Sequence, residues 1–114
     1  MKIVNKTRQH ILAENAVIAQ TLLKRITGLL NHSKLNPGEA LIIKPCNSIH
    51  TFFMRFAIDV IFVDAQGRII KTIRSMAPFR ISGIYFRALF CIELAAGTLE
   101  STSTRIGDYI AIQQ

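Results

Sequence analysis

The sequence predicts an α+β domain that is mainly β: a small curved or barrel-like sheet with one main helix packed against it. Three observations carry this expectation. Short runs of Ile, Val and Phe recur along the chain between clusters of Gly, Pro, Asn and Asp, the pattern of a strand-rich domain with tight connections. Only one segment, about residues 19–31, sets its apolar residues at helical spacing. The chain of 114 residues is half apolar. That is enough for one domain, 1–114, burying about 65% of its unfolded surface with no need of disulfides or metal.

In chain order, "KIV" and "HILAENAVIA" read as short strands. The period then changes. Ala19, Leu22, Leu23, Ile26, Leu29 and Leu30 share one helical face, with Lys24, Arg25 and Thr27 opposite. Gly28 inside this helix costs roughly 1 kcal/mol relative to Ala, which points to a close neighbouring backbone or an early end. "NPGE" is a turn and "ALIIK" a strand. "IDVIFVD", the loop "AQG" and "RIIKTIR" form a hairpin around Gly67. In its first arm Ile58, Val60 and Phe62 face one side, and Ile61 and Val63 the other. An arm apolar on both faces is an interior strand. The second arm carries Lys71 and reads as closer to an edge. "SMAPFRISGIYF" is a long irregular connection, "ALFCIEL" another interior strand, "AGTLESTST" a short helical turn, and "RIGDYIAI" a turn and a last strand.

Charge narrows the function classes. Fourteen Lys and Arg against seven Asp and Glu give +7. Between Asp64 and Glu93 there is no acid, while Arg68, Lys71, Arg74, Arg80 and Arg87 alternate with Phe79, Tyr85 and Phe86. Basic and aromatic residues together can follow a phosphate backbone and stack bases. The same residues also serve as solvated strand edges and loop tips. No apolar run reaches about 18 residues, so no membrane span is expected. The start "MKIVNKTRQH" lacks the apolar core of a secretory signal. The expected location is cytoplasmic. Cys46 and Cys91 form no CxxC unit and are too few for a disulfide scaffold. No GxGxxG, Walker, HExxH or GxSxG pattern occurs, and no cofactor is expected.

The chemistry concentrates in "CNSIHTFFMRFAID", residues 46–59. On a helix Cys46, His50 and Met54 would align and suit copper. The Ile, Thr and Phe of "SIHTFFM" fit a pleated strand better. On a strand a four-residue step spans about 13 Å, so no metal is shared and no metal site is expected. That step also separates Cys46 from His50 as a nucleophile and base. His50 is expected on an apolar strand face with Phe52 and Met54. Asp59 and Glu93 are each the one charge in an apolar interior strand, where a carboxylate must find partners. Arg55 and Arg80 are the candidates. Such a pair either fixes strand register or lines a polar pocket in which Arg55 holds an anion and His50 or Asp59 moves a proton.

Several motifs together carry a family resemblance. They are Arg25, Gly28 and Leu29 in the helix, Met54 and Asp59 at the strand start, Asp64 and Gly67 in the hairpin turn, Glu93, Leu94, Ala96 and Gly97, and finally Gly107 and Asp108. From about Ala19 to Ile110 the chain resembles the bacterial and archaeal family known as domain of unknown function 192. The resemblance implies a compact, mainly β domain of α+β type and no established activity. Ala57 stands where that family commonly has Pro.

The expected function is a small non-enzymatic binding or interaction module. Its candidate pocket comprises His50, Arg55, Asp59 and Glu93, and its partner is a small anionic ligand or an acidic protein surface. Two alternatives stand beside it. One is an enzyme using Cys46 or His50 with Asp59. The other is nucleic-acid binding by the stretch 68–87.

Overall fold

A computed structural model describes residues 1–19, 35–52 and 54–114. It contains strands β1 (Lys2–Asn5), β2 (His10–Ala19), β3 (Gly38–Ile43), β4 (Ile58–Asp64), β5 (Ile69–Met76), β6 (Ala88–Ala95) and β7 (Ile110–Gln113), with a short helix α1 (Thr98–Ser101) between the last two. All seven strands form one open mixed sheet in the order β5-β4-β6-β3-β2-β1-β7. Only β2 and β3 run parallel. The protein is thus mainly β, as its patterning predicts. The helix expected over about 19–31 falls almost wholly outside the described residues; Ala19 itself ends β2.

The predicted hairpin is present, and its alternation sorts the core into two layers. Ile58, Val60 and Phe62 of β4 join a cluster with Leu41, Ile43 and Cys91. Ile61 and Val63 join a second cluster with Ile42, Ile92 and Leu94. Interior strand β4 is flanked by β5 and β6, and β5 forms one edge of the sheet. The second cluster also takes Ile69 from edge strand β5, Ile3 from β1 and Ile110 from the opposite edge strand, β7. At one end the two edges meet through backbone. The N–H of Ile69 donates to the Asp108 carbonyl, and the N–H of Gly107 to the Ile69 carbonyl, both at 2.8 Å.

Gly67 makes the same junction possible. Its φ is +85°, and its carbonyl accepts the Ile110 N–H at 2.8 Å. A Cβ there would stand 3.0 Å from the Ile110 carbonyl oxygen, a backbone atom that cannot swing aside. Gly67→Ala is therefore expected to lower stability by about 1–3 kcal/mol in urea denaturation. A loss under about 0.5 kcal/mol would show that the turn relaxes freely.

One element departs from expectation. The strand expected over 48–54 is not seen at its described residues, 48–52 and 54. They form an extended piece with an isolated bridge between His50 and Ile81, and then a turn in which the Met54 N–H donates to the Thr51 carbonyl. The cause is Thr51, which is fully buried. Its hydroxyl donates to the Ala77 carbonyl at 2.6 Å and accepts the Arg80 N–H at 2.9 Å. Its backbone N–H donates to the Arg80 carbonyl at 2.8 Å, and its carbonyl accepts the Phe79 N–H at 2.9 Å. A side chain that bonds backbone this way competes with a strand ladder.

The pairing continues outward from Thr51. Ser82 donates to Ile49, Tyr85 to Asn47 and Cys46 to Leu89 through backbone. Segments 46–51 and 79–89 are thereby zipped into an antiparallel loop pair. Ile49, Met54 and Tyr85 press it onto the Phe62 side of the sheet, with the Tyr85 and Phe62 rings 4.7 Å apart. Among the described residues this pair covers the Phe62 side of the sheet, the face opposite the second cluster.

Candidate functional site

The four candidate residues occupy different environments. Asp59 and Glu93 are both buried. Asp59 lies opposite Leu94, and Val60 opposite Glu93. Since neighbours along a strand point to opposite faces, the two carboxylates face opposite sides of the sheet. His50 and Arg55 are exposed on the loop pair and the segment that follows it. The structure therefore does not gather the four around one concavity. His50 leaves the apolar face expected for it; only Met54 of that trio is buried, while the His50 ring stacks on exposed Phe52 at 5.2 Å.

Asp59 is satisfied by backbone, not by Arg55. Its Oδ1 accepts the Ser75 N–H at 2.8 Å. Its Oδ2 accepts the N–H groups of Gly97 at 3.1 Å and Leu99 at 2.9 Å. Each contact has a local reason. Opposite Asp59, β5 carries an extra residue, because Ile58 pairs with Met76 but Val60 with Ile73. Ser75, at φ +49°, turns its N–H out of the ladder toward the carboxylate. Helix α1 begins at Gly97, which has no side chain to cap the first turn, and Asp59 caps it from the neighbouring strand. Arg80, the partner considered for Glu93, is exposed on the loop pair and held by its backbone to Thr51.

For the alternative site, the Cys46 thiol is half-buried and donates to the Ser48 carbonyl at 3.1 Å. Cys91 is core. Among the described residues no three of His, Cys, Asp and Glu come together as a metal site. The basic stretch also divides. Arg68 lies at the hairpin, bridged to Tyr109, whereas Arg80 and Arg87 belong to the loop pair and Lys71 reaches that pair over the Tyr85 ring. A depression of about 320 Å³ lies elsewhere, between β2 and α1, bordered by Ile11, Glu14, Gly38 and Ser101. None of the four candidates lines it.

A polar cluster that patterning did not single out is more tightly built. Asn5, Thr104 and Asp108 are all buried. Asn5 Nδ2 donates to Thr104 Oγ1 at 3.0 Å and to Asp108 Oδ2 at 2.9 Å. The same Oδ2 accepts Arg8 Nε and the Arg105 N–H, each at 3.1 Å. Burial pushes the Asp108 carboxyl up; the hydrogen bonds from Asn5, the Arg105 backbone and Arg8, with the charge of Arg8, outweigh it and hold the group below its ordinary value. This cluster locks the end of β1 to the turn before β7. Its one visible sign in the sequence is Asp108 beside Gly107.

The most conspicuous surface is the outer side of the loop pair. Phe86 is 84% exposed, Phe79 72%, Ile81 68% and Ile84 58%. Arg80 and Arg87, on the same segment, and Arg55 are also exposed. Scattered apolar residues on a surface need no explanation; here four lie on one paired segment.

Fold and surface together define a small, mainly β domain with one short described helix, whose loop pair exposes apolar and basic side chains. The chain belongs to the DUF192 family (Uncharacterized ACR), which it matches over residues 3–112. It is 35% identical to a UPF0127 protein of Pyrococcus horikoshii over 95% of this chain and 96% of that one. A UPF0127 protein of Thermococcus sibiricus is 31% identical over 95% of this chain and 72% of its own. Both relatives are archaeal. Among solved structures, a protein of unknown function from Novosphingobium aromaticivorans superposes with a TM-score of 0.83 at 18% identity, over 98% of this chain and 84% of that one. At that identity the likeness speaks for the fold alone. Among the described residues no helix is long and apolar enough to cross a membrane.

Proposed function

We propose that the protein is a non-enzymatic binding module, and that the outer face of the loop pair 46–51/79–89 takes an anionic partner. One observation carries the reading: protruding Phe and Ile side chains are interleaved with exposed arginines on a segment without an acid. Of the four candidates, His50 and Arg55 belong to this contact face. Asp59 and Glu93 support it from within the sheet. In this reading the sheet is curled and barrel-like, as Ile69 and Ile110 from its two edges sharing one cluster support. The curl turns the second cluster inward and leaves the other face to carry the loop pair.

Poly-glutamate added to isotopically labelled protein tests this. Amide shifts at low salt are expected to concentrate on Arg55, Arg80, Arg87 and their neighbours, and to fade as salt approaches ~0.15 M, where screening acts beyond about 8 Å. Shifts spread evenly over all basic residues, or centred on Arg68 and Lys2, would sink the reading.

A further inference from the structure

We propose that this face docks on the headgroup layer of a membrane rich in anionic phospholipid. The inference rests on the binding-module reading and names its partner. Its first support is shape. Side chains exposed by 58–84% stand out from the surface, whereas those lining a groove are partly hidden. A protein partner would need a separate recess for each protruding ring. A lipid interface deforms and accepts apolar side chains wherever they fall.

The second support is the order of residues. The loop holds two Phe-Arg steps, Phe79-Arg80 and Phe86-Arg87, one toward each end, with Ile81 and Ile84 between them. Each step sets an exposed Phe and an exposed Arg at consecutive positions, residue types of which one suits the acyl boundary and the other phosphate. Because the loop runs along the sheet face rather than away from it, the two steps form a broad platform rather than a single spike.

Charge selects among occupants. A second copy of this chain would bring like faces of a +7 protein together, which is repulsive. An anionic leaflet attracts them. The bound state is peripheral, with the loop face lying in the headgroup layer.

Sedimentation of the full chain with vesicles tests the proposal, using phosphatidylcholine alone or mixed with phosphatidylserine. Partition onto the mixed vesicles is expected to exceed that onto phosphatidylcholine by about tenfold or more. Phe79→Ser and Phe86→Ser are each expected to weaken it by roughly five- to tenfold. Arg80→Ser combined with Arg87→Ser is expected to remove most of the preference for anionic lipid. Ile11→Ser, in the depression beside α1 and away from the loop pair, is expected to change nothing. All five positions are exposed, and unchanged thermal unfolding checks that each variant is folded.

Equal or absent partition onto both vesicle types would overturn the proposal. So would anionic binding that both Phe variants leave intact, because net charge alone would then explain it. If poly-glutamate shifts the loop amides while vesicles do not bind, the lipid assignment falls and the module reading stands. If neither binds, both fall.

Discussion

Asp59→Asn is expected to lower the free energy of unfolding by roughly 2–4 kcal/mol, the largest single loss among exchanges that keep side-chain shape. The carboxylate accepts N–H groups at both oxygens, from Ser75 on one and from Gly97 and Leu99 on the other. An amide offers one acceptor. Its NH2 must face either the bulge of β5 or the start of α1, donor against donor. Urea denaturation measures the loss. If Asp59 is purely internal support, poly-glutamate binding by the folded fraction stays unchanged. A loss below about 1 kcal/mol would mean that the three N–H groups find other acceptors, and the capping account would be wrong.

Asp108→Asn is expected to cost about 2–3 kcal/mol at neutral pH, since three donors converge on one oxygen in a buried site. It also changes the pH dependence, and the sign follows from the direction of the shift. The folded carboxyl titrates below its ordinary value, so the unfolded chain takes up the proton first. The stabilisation is complete above the unfolded value, near 4, and is lost as pH falls through the lower folded value. The gap between wild type and variant is therefore expected to stay constant from about pH 8 to 5 and to shrink below about pH 4. A gap that stays flat down to about pH 2 would remove Asp108 as the source of acid sensitivity.

Much of the sheet is legible in the residues. The alternation of Ile58, Val60 and Phe62 with Ile61 and Val63 predicts an interior strand, and both faces are packed. Lys71 on the hairpin's second arm signals the edge position that β5 holds. Composition fails where a side chain bonds backbone. Nothing in "SIHTFFM" separates a strand from a loop, because the deciding event is Thr51 closing onto Ala77 and Arg80.

The candidate site was legible in part, for a related reason. Asp59 stands out as a lone charge in an apolar run, and it is buried and fully engaged. Its partners are peptide N–H groups, which every residue type except Pro possesses, so no letter announces them. Arg55 carries a charge that is visible in sequence, but peptide N–H groups take both oxygens of Asp59. The loop face was visible as Phe79, Phe86 and their arginines. Their outward direction was not, since it follows from Ile49, Met54 and Tyr85 occupying the inner side.

The pairing of β1 with both β2 and β7 has a consequence for synthesis. On the ribosome the first strand finds its hairpin partner early, while its other flank waits for residues 110–113. Until these emerge, that flank is an open template for the wrong strand, of the same chain or of a neighbouring polypeptide. Closure by such distant residues makes final assembly slow relative to hairpin formation. Chaperone demand should therefore fall on the interval before the last strand is released.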